Sequence, residues 1–369
     1  FSTGDEIIGE ALITATDDFR IDDLDISFTG YSQTSFDSIA ASLPSTTEKR
    51  FLHLQQPTEA SICGSVLKAN HTYTIPFKFI VPDRLLPSAC SCKTYEDHLV
   101  LPPTVGGEQC WKRHGKILDD PTPEMAKISY KITATLAHRD RYNHKSITRS
   151  SRAVCVIPNF FEAPPLIPST ASEYRFRQEK PISRGLFMGK LGHVVMEAHQ
   201  PNALKCGLLR PGSPASTTLI LRYDPSSENC TPPVLDNIKR KIQAVTLFQG
   251  GQTYVADKKT PQNLLRPYHE TMSLSALCVS GMRWQKLSPT WAHEQLLHGD
   301  TPCLPTPSSG YTGGVYYLLR LSLPVELPES KALVPTFYSC LVSRFYRMEI
   351  SLALSTTSSL SVCVPLQLC

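Results

Sequence analysis

The chain has 369 residues, of which 41% are hydrophobic and 19% charged, and it carries a net charge of +4 at neutral pH. This length exceeds the roughly 100 to 200 residues of a typical domain, and the hydrophobic content excludes a wholly disordered chain, so we expect two domains with buried cores. The small net charge does not indicate a nucleic-acid partner, and the 30 prolines favour short strands and loops over long helices.

The first half of the chain repeatedly alternates apolar and polar residues with a period of two. Apolar residues occupy alternate positions in LDISF (24–28), in YTIPFKFIV (73–81) and in ISYKITATL (128–136). Such alternation predicts antiparallel strands that bury one face and expose the other.

A polar stretch, HRDRYNHKS, follows the third of these strands. Asn143 suits a tight turn, so we predict that Arg139, Arg141 and Lys145 project from a turn or a strand end. Ordinary solvated surface is one interpretation of these cations, and a contact for acidic or phosphorylated cargo is the other. Further cations of the middle region, which we interpret as solvated surface or alternatively as a patch for acidic partners, are Arg149, Arg152, Arg175, Arg177, Lys180 and Arg184.

The stretch between Ile157 and Pro181 is rich in proline and small polar residues, which is typical of a linker. We therefore predict an N-terminal domain at 1–158, a linker at 159–180 and a C-terminal domain at 181–369. Alternation resumes in the second half, which predicts further strands at 315–323, 348–354 and 360–364. Many short strands with little helical periodicity predict an all-β fold of β-sandwiches.

A second basic cluster, Lys239, Arg240 and Lys241, lies in DNIKRKIQAVTLF. Strand alternation places Arg240 opposite its two neighbours, and we predict an exposed strand start. A solvated strand end is one interpretation. The alternatives are a contact for acidic cargo or lipid, or a lysine that accepts ubiquitin.

No motif for catalysis or metal binding stands out. The chain lacks a Gly-x-Ser-x-Gly elbow and a phosphate-binding glycine loop, and His293 and His298 are five residues apart, so they would not share one face of a helix. The Cys90-x-Cys92 pair has no second pair at the spacing of a zinc knuckle. We predict no catalytic residue, no metal and no cofactor.

The twelve cysteines are compatible with either a cytosolic or a secreted protein. Scattered thiols, with Cys155 and Cys363 inside apolar runs, favour a cytosolic chain in which cysteine packs as a small hydrophobe. An even cysteine count with glycosylation triplets at Asn70 and Asn229 admits a secreted, disulfide-bonded β-sandwich. No apolar run approaches the roughly 18 residues that span a bilayer, so we expect a soluble or peripheral protein.

Several longer phrases of the sequence are informative when they are taken in order. In the first half they are FSTGDEIIGEALI, LDISFTGYSQT, YTIPFKFIVPDRLLPSAC, HLVLPPTVG and ISYKITATL, and in the second half VVMEAHQPNAL, TLILRYDP, PPVLDNIKRKIQAVTLF and VPTFYSCLVSRFYRMEISLAL. These phrases resemble the arrestin fold, and in particular the fungal arrestin-like proteins of the α-arrestin family. The resemblance covers nearly the whole chain.

This resemblance implies two consecutive antiparallel, immunoglobulin-like β-sandwich domains and a non-enzymatic adaptor. Such an adaptor binds the cytoplasmic tails of membrane transporters or receptors and directs their ubiquitination, endocytosis or sorting. It would lie in the cytoplasm and transiently at the plasma membrane or endosomes, with peripheral membrane contact. An enzyme with an unrecognised site remains the alternative to an adaptor.

The sequence departs from the family pattern in three places. It shows no recognisable counterpart of the buried charge cluster with which visual and β-arrestins sense phosphorylation, so phosphate-triggered activation is not among the properties that the resemblance implies. The strand that normally precedes the Gly-Asp turn is absent, so we expect a trimmed chain with an open sheet edge. The Pro-Pro-x-Tyr motif that recruits HECT-type ubiquitin ligases is also absent, since Pro102-Pro103, Pro164-Pro165 and Pro232-Pro233 are followed by other residues. A ligase would therefore bind segments outside this chain.

Overall fold

The structure is a computed structural model. It describes residues 1–36, 45–57, 63–90, 96–107, 111–113, 115–140, 142–159, 174–183, 189–206, 215–249, 265–288, 305–354 and 358–369. Within these ranges the chain forms strands and two short 3-10 helices, Pro87–Ala89 and Glu96–Leu99, so the predicted all-β class is confirmed.

The first group of strands carries the alternating segments of the N-terminal half. These strands are β1 (Glu6–Thr14), β2 (Phe19–Phe36), β3 (Ser45–Gln55), β4 (Val66–Leu67), β5 (Thr72–Ile80), β6 (Lys112–Arg113), β7 (Lys116–Ile117), β8 (Ala126–Arg139) and β9 (Lys145–Val154). The predicted strands at 24–28, 73–81 and 128–136 lie within or almost within β2, β5 and β8, and these predictions are confirmed.

The second group of strands carries the alternating segments of the C-terminal half. Its strands are β10 (Arg177–Ser183), β11 (Lys190–Ala198), β12 (Ala215–Pro225), β13 (Asn237–Gln249), β14 (Leu265–Ser273), β15 (Leu277–Cys278), β16 (Gln285–Leu287), β17 (Tyr316–Val325), β18 (Val342–Ala353) and β19 (Ser359–Leu366). The strands predicted near 315–323 and 360–364 match β17 and β19 with small shifts at their ends, and the strand predicted at 348–354 matches the second half of β18, which begins six residues earlier.

The strands form several antiparallel sheets. The main sheet of the first half has the order β3-β2-β8-β9, with β4 also paired to β2, and β1 pairs with β5 in a separate sheet. In the second half one sheet has the order β10-β11-β12-β17-β16, and another has the order β14-β13-β18-β19 with β15 attached to β13.

An aromatic cluster forms part of the first hydrophobic core. The ring of Phe28 on β2 lies 6.0 Å from that of Phe79 on β5 and 5.9 Å from that of Tyr130 on β8. All three side chains are buried. Each such ring pair contributes about 0.5 to 1.5 kcal/mol beyond the burial of its apolar area, so this cluster ties β5 to the main sheet.

The second core is built from aliphatic strands. Apolar runs on β11 and β12 are buried on both faces, whereas β18 and β19 bury mainly alternate residues, which lie on one face. Its fully buried side chains include Val194, Val195, Leu219, Leu221, Ile350, Leu352, Val362 and Val364.

The described chain divides into two compact units. The first comprises Phe1–Phe160, Thr246–Tyr268 and Ser330–Arg344, and the second comprises Phe161–Val245, His269–Glu329 and Phe345–Cys369. Residues 160–173, which cover most of the predicted linker, lie outside the described residues. The domain limits 1–158 and 181–369 therefore stay a prediction. In the described ranges, no helix has the length and apolar character of a transmembrane span.

Candidate functional site

Strand β9 forms an edge of the main sheet of the first unit and is exposed along almost its whole length. It is last in the order β3-β2-β8-β9, and every residue from Lys145 to Ala153 is exposed. An edge strand offers unpaired backbone N–H and C=O groups to another extended chain. Three of the side chains on this strand are cationic, namely Lys145, Arg149 and Arg152. We call β9 with these three cations the basic edge strand.

The pairing of β9 with β8 shows how these cations are arranged. Lys145 lies opposite Arg139, and Arg149 lies opposite Thr135, on the outward face of the sheet. Arg152 lies opposite the buried Ile132, so it belongs to the other face. In the described part of the chain, none of the three cations on β9 forms an ion pair.

Arg139 has a different environment from the cations on β9. Its Nε donates to both carboxylate oxygens of Asp22, at 2.9 Å and 3.2 Å, and its Nη1 donates to Oδ1 of Asn143 at 3.3 Å. The predicted turn is present, since Asn143 adopts a positive φ of 66°. Arg139 therefore holds the turn and is less available to a ligand than Lys145. Arg141 lies outside the described residues.

The carboxylate of Asp140 closes the same turn. Its Oδ1 accepts the backbone N–H groups of Tyr142 and His144, both at 2.8 Å. These hydrogen bonds, first of all the one from the His144 backbone, lower the pKa of Asp140 below its ordinary value. The turn thus keeps a negative charge beside the basic edge strand.

The structure places the residues of the second predicted basic cluster, Lys239, Arg240 and Lys241, in different environments. Lys239 and Lys241 are exposed on β13, as expected, but Arg240 is only 3% exposed. The Arg240 guanidinium donates to the carbonyl oxygens of Pro324 and Ser275. This corrects the expectation that all three residues form an exposed strand start. Arg240 is held in the interior by backbone acceptors, and only the two lysines can meet a partner.

A cluster of two thiols and an imidazole lies elsewhere in the first unit. The sulfur of Cys90 is 3.6 Å from Nδ1 of His98 and 3.3 Å from the sulfur of Cys340. All three ligand atoms lie within 4.8 Å of one another, and the three residues are half-buried. The ammonium of Lys49 on β3 lies 3.3 Å from the sulfur of Cys340. We call Cys90, His98 and Cys340 the thiol–imidazole cluster.

Sequence reasoning did not find this cluster because its members are far apart in the chain. Cys90 precedes His98 by 8 residues and Cys340 by 250 residues. The spacing rules for zinc sites consider short motifs such as the Cys90-x-Cys92 pair, and Cys92 lies outside the described residues. His293 and His298 also lie outside the described residues.

The cysteines that the structure describes form no disulfide. All nine described cysteines are thiols: Cys63, Cys90, Cys155, Cys206, Cys230, Cys278, Cys340, Cys363 and Cys369. Burial of the Cys206 thiol raises its pKa well above the ordinary value, so this thiol stays protonated at neutral pH.

No protein-family model matches this sequence, and no curated protein matches it significantly. The features that bear on function are therefore the antiparallel all-β fold, the basic edge strand and the thiol–imidazole cluster.

Proposed function

We propose that this protein is a non-enzymatic adaptor with an arrestin-like arrangement of two β-sandwich domains. It binds the cytoplasmic tails of membrane transporters or receptors and directs their ubiquitination, endocytosis or sorting. The observation that carries the proposal is the basic edge strand, because it combines backbone pairing groups with cations on one exposed strand. The sequence resemblance to fungal arrestin-like proteins supports the same role.

The basic edge strand suits an acidic or phosphorylated segment in an extended conformation. Such a segment would pair with β9 as an added strand, so that main-chain hydrogen bonds supply affinity and side chains supply specificity. Phosphate oxygens accept charge-assisted hydrogen bonds, and arginine donates to them through two nitrogens. The exposure of Lys145, Arg149 and Arg152 leaves their donors accessible to such a ligand.

The spacing of the cations defines the ligand further. Lys145 and Arg149 share one face and are four residues apart, which is about 13 Å along a strand. Two phosphates four residues apart in a bound strand have the same separation. Two phosphates three residues apart would point to opposite faces, so only one of them could meet this pair.

The test measures binding of fluorescent tail peptides to the purified chain by anisotropy. We expect a peptide with phosphoserines at positions i and i+4 to bind at least tenfold more tightly than its unphosphorylated form, and more tightly than an i, i+3 isomer of equal charge. Lys145→Ala with Arg149→Ala should abolish the preference and leave the melting temperature unchanged, because both side chains are exposed.

Lys239→Ala with Lys241→Ala is the matched control, since it removes two exposed cations from a different strand. Equal weakening by both double variants would show attraction to net charge alone and would contradict the proposal. Vesicles with anionic lipid form a separate arm. If the protein binds these vesicles more tightly than the peptides, and if this binding depends on Lys145 and Arg149, the ligand of the basic edge strand is a membrane surface and not a tail.

This sequence lacks the Pro-Pro-x-Tyr motif, so a HECT-type ligase would bind segments outside this chain. A HECT-type ligase would reach the bound tail through another segment or another protein. Ubiquitination of a captured tail in a reconstituted mixture, with and without the Lys145 and Arg149 changes, measures whether tail binding directs the modification.

A further inference from the structure

We propose that Cys90, His98 and Cys340 bind a zinc ion. The site is independent of the proposed adaptor role, because it lies on segments other than the basic edge strand and needs no tail ligand. All three residues belong to the first compact unit. The ion would connect a loop of the N-terminal half to a hairpin that the chain forms about 250 residues later.

Two separations between the ligand atoms are close to those of tetrahedral zinc, and of these the sulfur–sulfur separation is about 0.5 Å shorter than ideal. With Zn–S distances of about 2.3 Å and Zn–N distances of about 2.0 to 2.1 Å, tetrahedral angles place two sulfurs about 3.8 Å apart and a sulfur and a nitrogen about 3.6 Å apart. The observed values are 3.3 Å between the sulfurs and 3.6 Å between the Cys90 sulfur and His98 Nδ1. The sulfurs are too far apart for a disulfide bond, whose length is about 2.05 Å.

Local structure holds Cys90 and His98 at the mouth of one loop. Cys90 ends the first 3-10 helix, where its N–H donates to the Pro87 carbonyl, and His98 lies in the second. The loop is closed because the N–H of Leu85 donates to Leu99 at 2.7 Å, next to a bridge between Arg84 and Val100. The buried side chain of Leu85 anchors one side of this closure.

A hairpin closed by Phe337 and Arg344 presents Cys340. Phe337 and Arg344 exchange two backbone hydrogen bonds, of 3.0 Å and 2.9 Å, and Cys340 lies at the tip between them. The tip is fixed by the hydroxyl of Ser339, which donates to the Val342 carbonyl at 2.5 Å, and by the Leu341 carbonyl, which accepts from Gln249. Both ligand-bearing segments are therefore held in place by contacts other than those of the cluster.

The donor set favours zinc over hard cations such as Mg²⁺ and Ca²⁺. Two thiolates and one imidazole are soft and borderline ligands, which suit Zn²⁺ and are poor ligands for Mg²⁺ or Ca²⁺. The Lys49 ammonium beside Cys340 offsets part of the negative charge of two thiolates. Three ligands from the described residues leave the fourth zinc position to water or to one further group.

The test is metal analysis of the chain purified under reducing conditions. We expect one zinc per chain by elemental analysis, and X-ray absorption on the unaltered protein should show a shell of two sulfurs and at least one imidazole nitrogen. Cobalt substitution should give the visible absorption of a tetrahedral, thiolate-bound ion. Cys90→Ser, His98→Ala and Cys340→Ser should each weaken zinc binding at least about tenfold, since even loss of an outer hydrogen-bond partner costs about 10- to 100-fold.

Cys63→Ser is the control, because this exposed cysteine lies in the same unit and outside the cluster. It should leave zinc content unchanged. Zinc below 0.2 per chain after equilibration with equimolar zinc, or an absorption spectrum without sulfur ligands, would overturn the proposal. So would a Cys90–Cys340 disulfide whose reduction restores no zinc uptake, because the pair would then be a redox pair.

Discussion

The guanidinium of Arg222 donates through Nε to Oδ1 of Asp224 at 2.7 Å, and both side chains are almost entirely buried. The other carboxylate oxygen accepts the N–H of Ser308 at 2.7 Å, and Nη1 of Arg222 donates to the Pro305 carbonyl. The guanidinium also lies 4.1 Å from the ring centre of Tyr316. Both charges on β12 are thus removed from water and compensated by the pair itself.

Asp224→Asn should destabilise the protein strongly. The change keeps the shape of the side chain but leaves the Arg222 charge buried without a counter-charge. Breaking a buried ion pair from one side costs about 3 to 5 kcal/mol. Urea denaturation, followed by circular dichroism, measures the free energy of unfolding.

Lys68→Gln provides the comparison for this measurement. Lys68 and Asp18 are 3.0 Å apart, but their side chains are 64% and 49% exposed. An exposed pair contributes about 0 to 1 kcal/mol. A loss for Asp224→Asn no larger than that for Lys68→Gln would contradict the role assigned to the buried pair.

Gly30→Ala should destabilise the first core. A Cβ atom at Gly30 would lie 2.5 Å from the ring of Phe51 and 3.0 Å from that of Tyr130. Overpacking of this kind costs about 1 to 3 kcal/mol. Gly281→Ala is the control, since nothing lies within 4 Å of its Cβ position. Equal melting temperatures for the two variants would show that Phe51 moves aside freely.

Alternation was a good guide to the strands because it depends only on neighbouring residues. The segment 128–136 shows a period of two, and β8 spans Ala126–Arg139 with that face buried. The same local rule placed Arg240 opposite its lysine neighbours, but it could not show that Arg240 is buried. That outcome depends on carbonyl groups 35 and 84 residues away.

The candidate sites show the same limit. The turn at Asn143 was predicted from a polar local sequence, whereas the ion pair between Arg139 and Asp22 joins residues 117 positions apart. Exposure of β9 on both faces depends on what the opposite sheet covers, and no local pattern carries that information. Contacts between residues that are far apart in the chain therefore could not be predicted from local sequence patterns.

Asp140→Asn should change how stability depends on pH. The pKa of Asp140 is lowered below 3.8 by hydrogen bonds to the charged carboxylate, chiefly from the backbone of His144. A lowered pKa in the folded state means that this carboxylate stabilises the fold fully above its unfolded pKa. That contribution is lost as the pH falls through the lower, folded pKa.

Melting temperatures measured from neutral pH to below pH 3 test whether the stabilisation by Asp140 is lost as the pH falls. Asp140→Asn should melt below the unaltered protein at neutral pH, and the two curves should converge in the acidic range, where Asp140 itself is protonated. Asp83→Asn is the control, as its carboxylate lies on an exposed residue outside this turn. A difference for Asp140→Asn that persists unchanged at the acidic end would mean that its charge does not stabilise the turn.

Arg240→Met should lower stability, whereas Lys239→Met and Lys241→Met should not. The guanidinium donates to the Ser275 carbonyl at 2.9 Å and to that of Pro324, and methionine fills similar space without a donor. A hydrogen bond from a charged donor contributes about 1.5 to 3 kcal/mol, and the methionine variant loses such bonds. The two lysines are exposed, so their replacement should stay within about 0.5 kcal/mol. Denaturant titration of the three variants measures each free energy of unfolding, and equal values for all three would show that Arg240 is solvated like its neighbours.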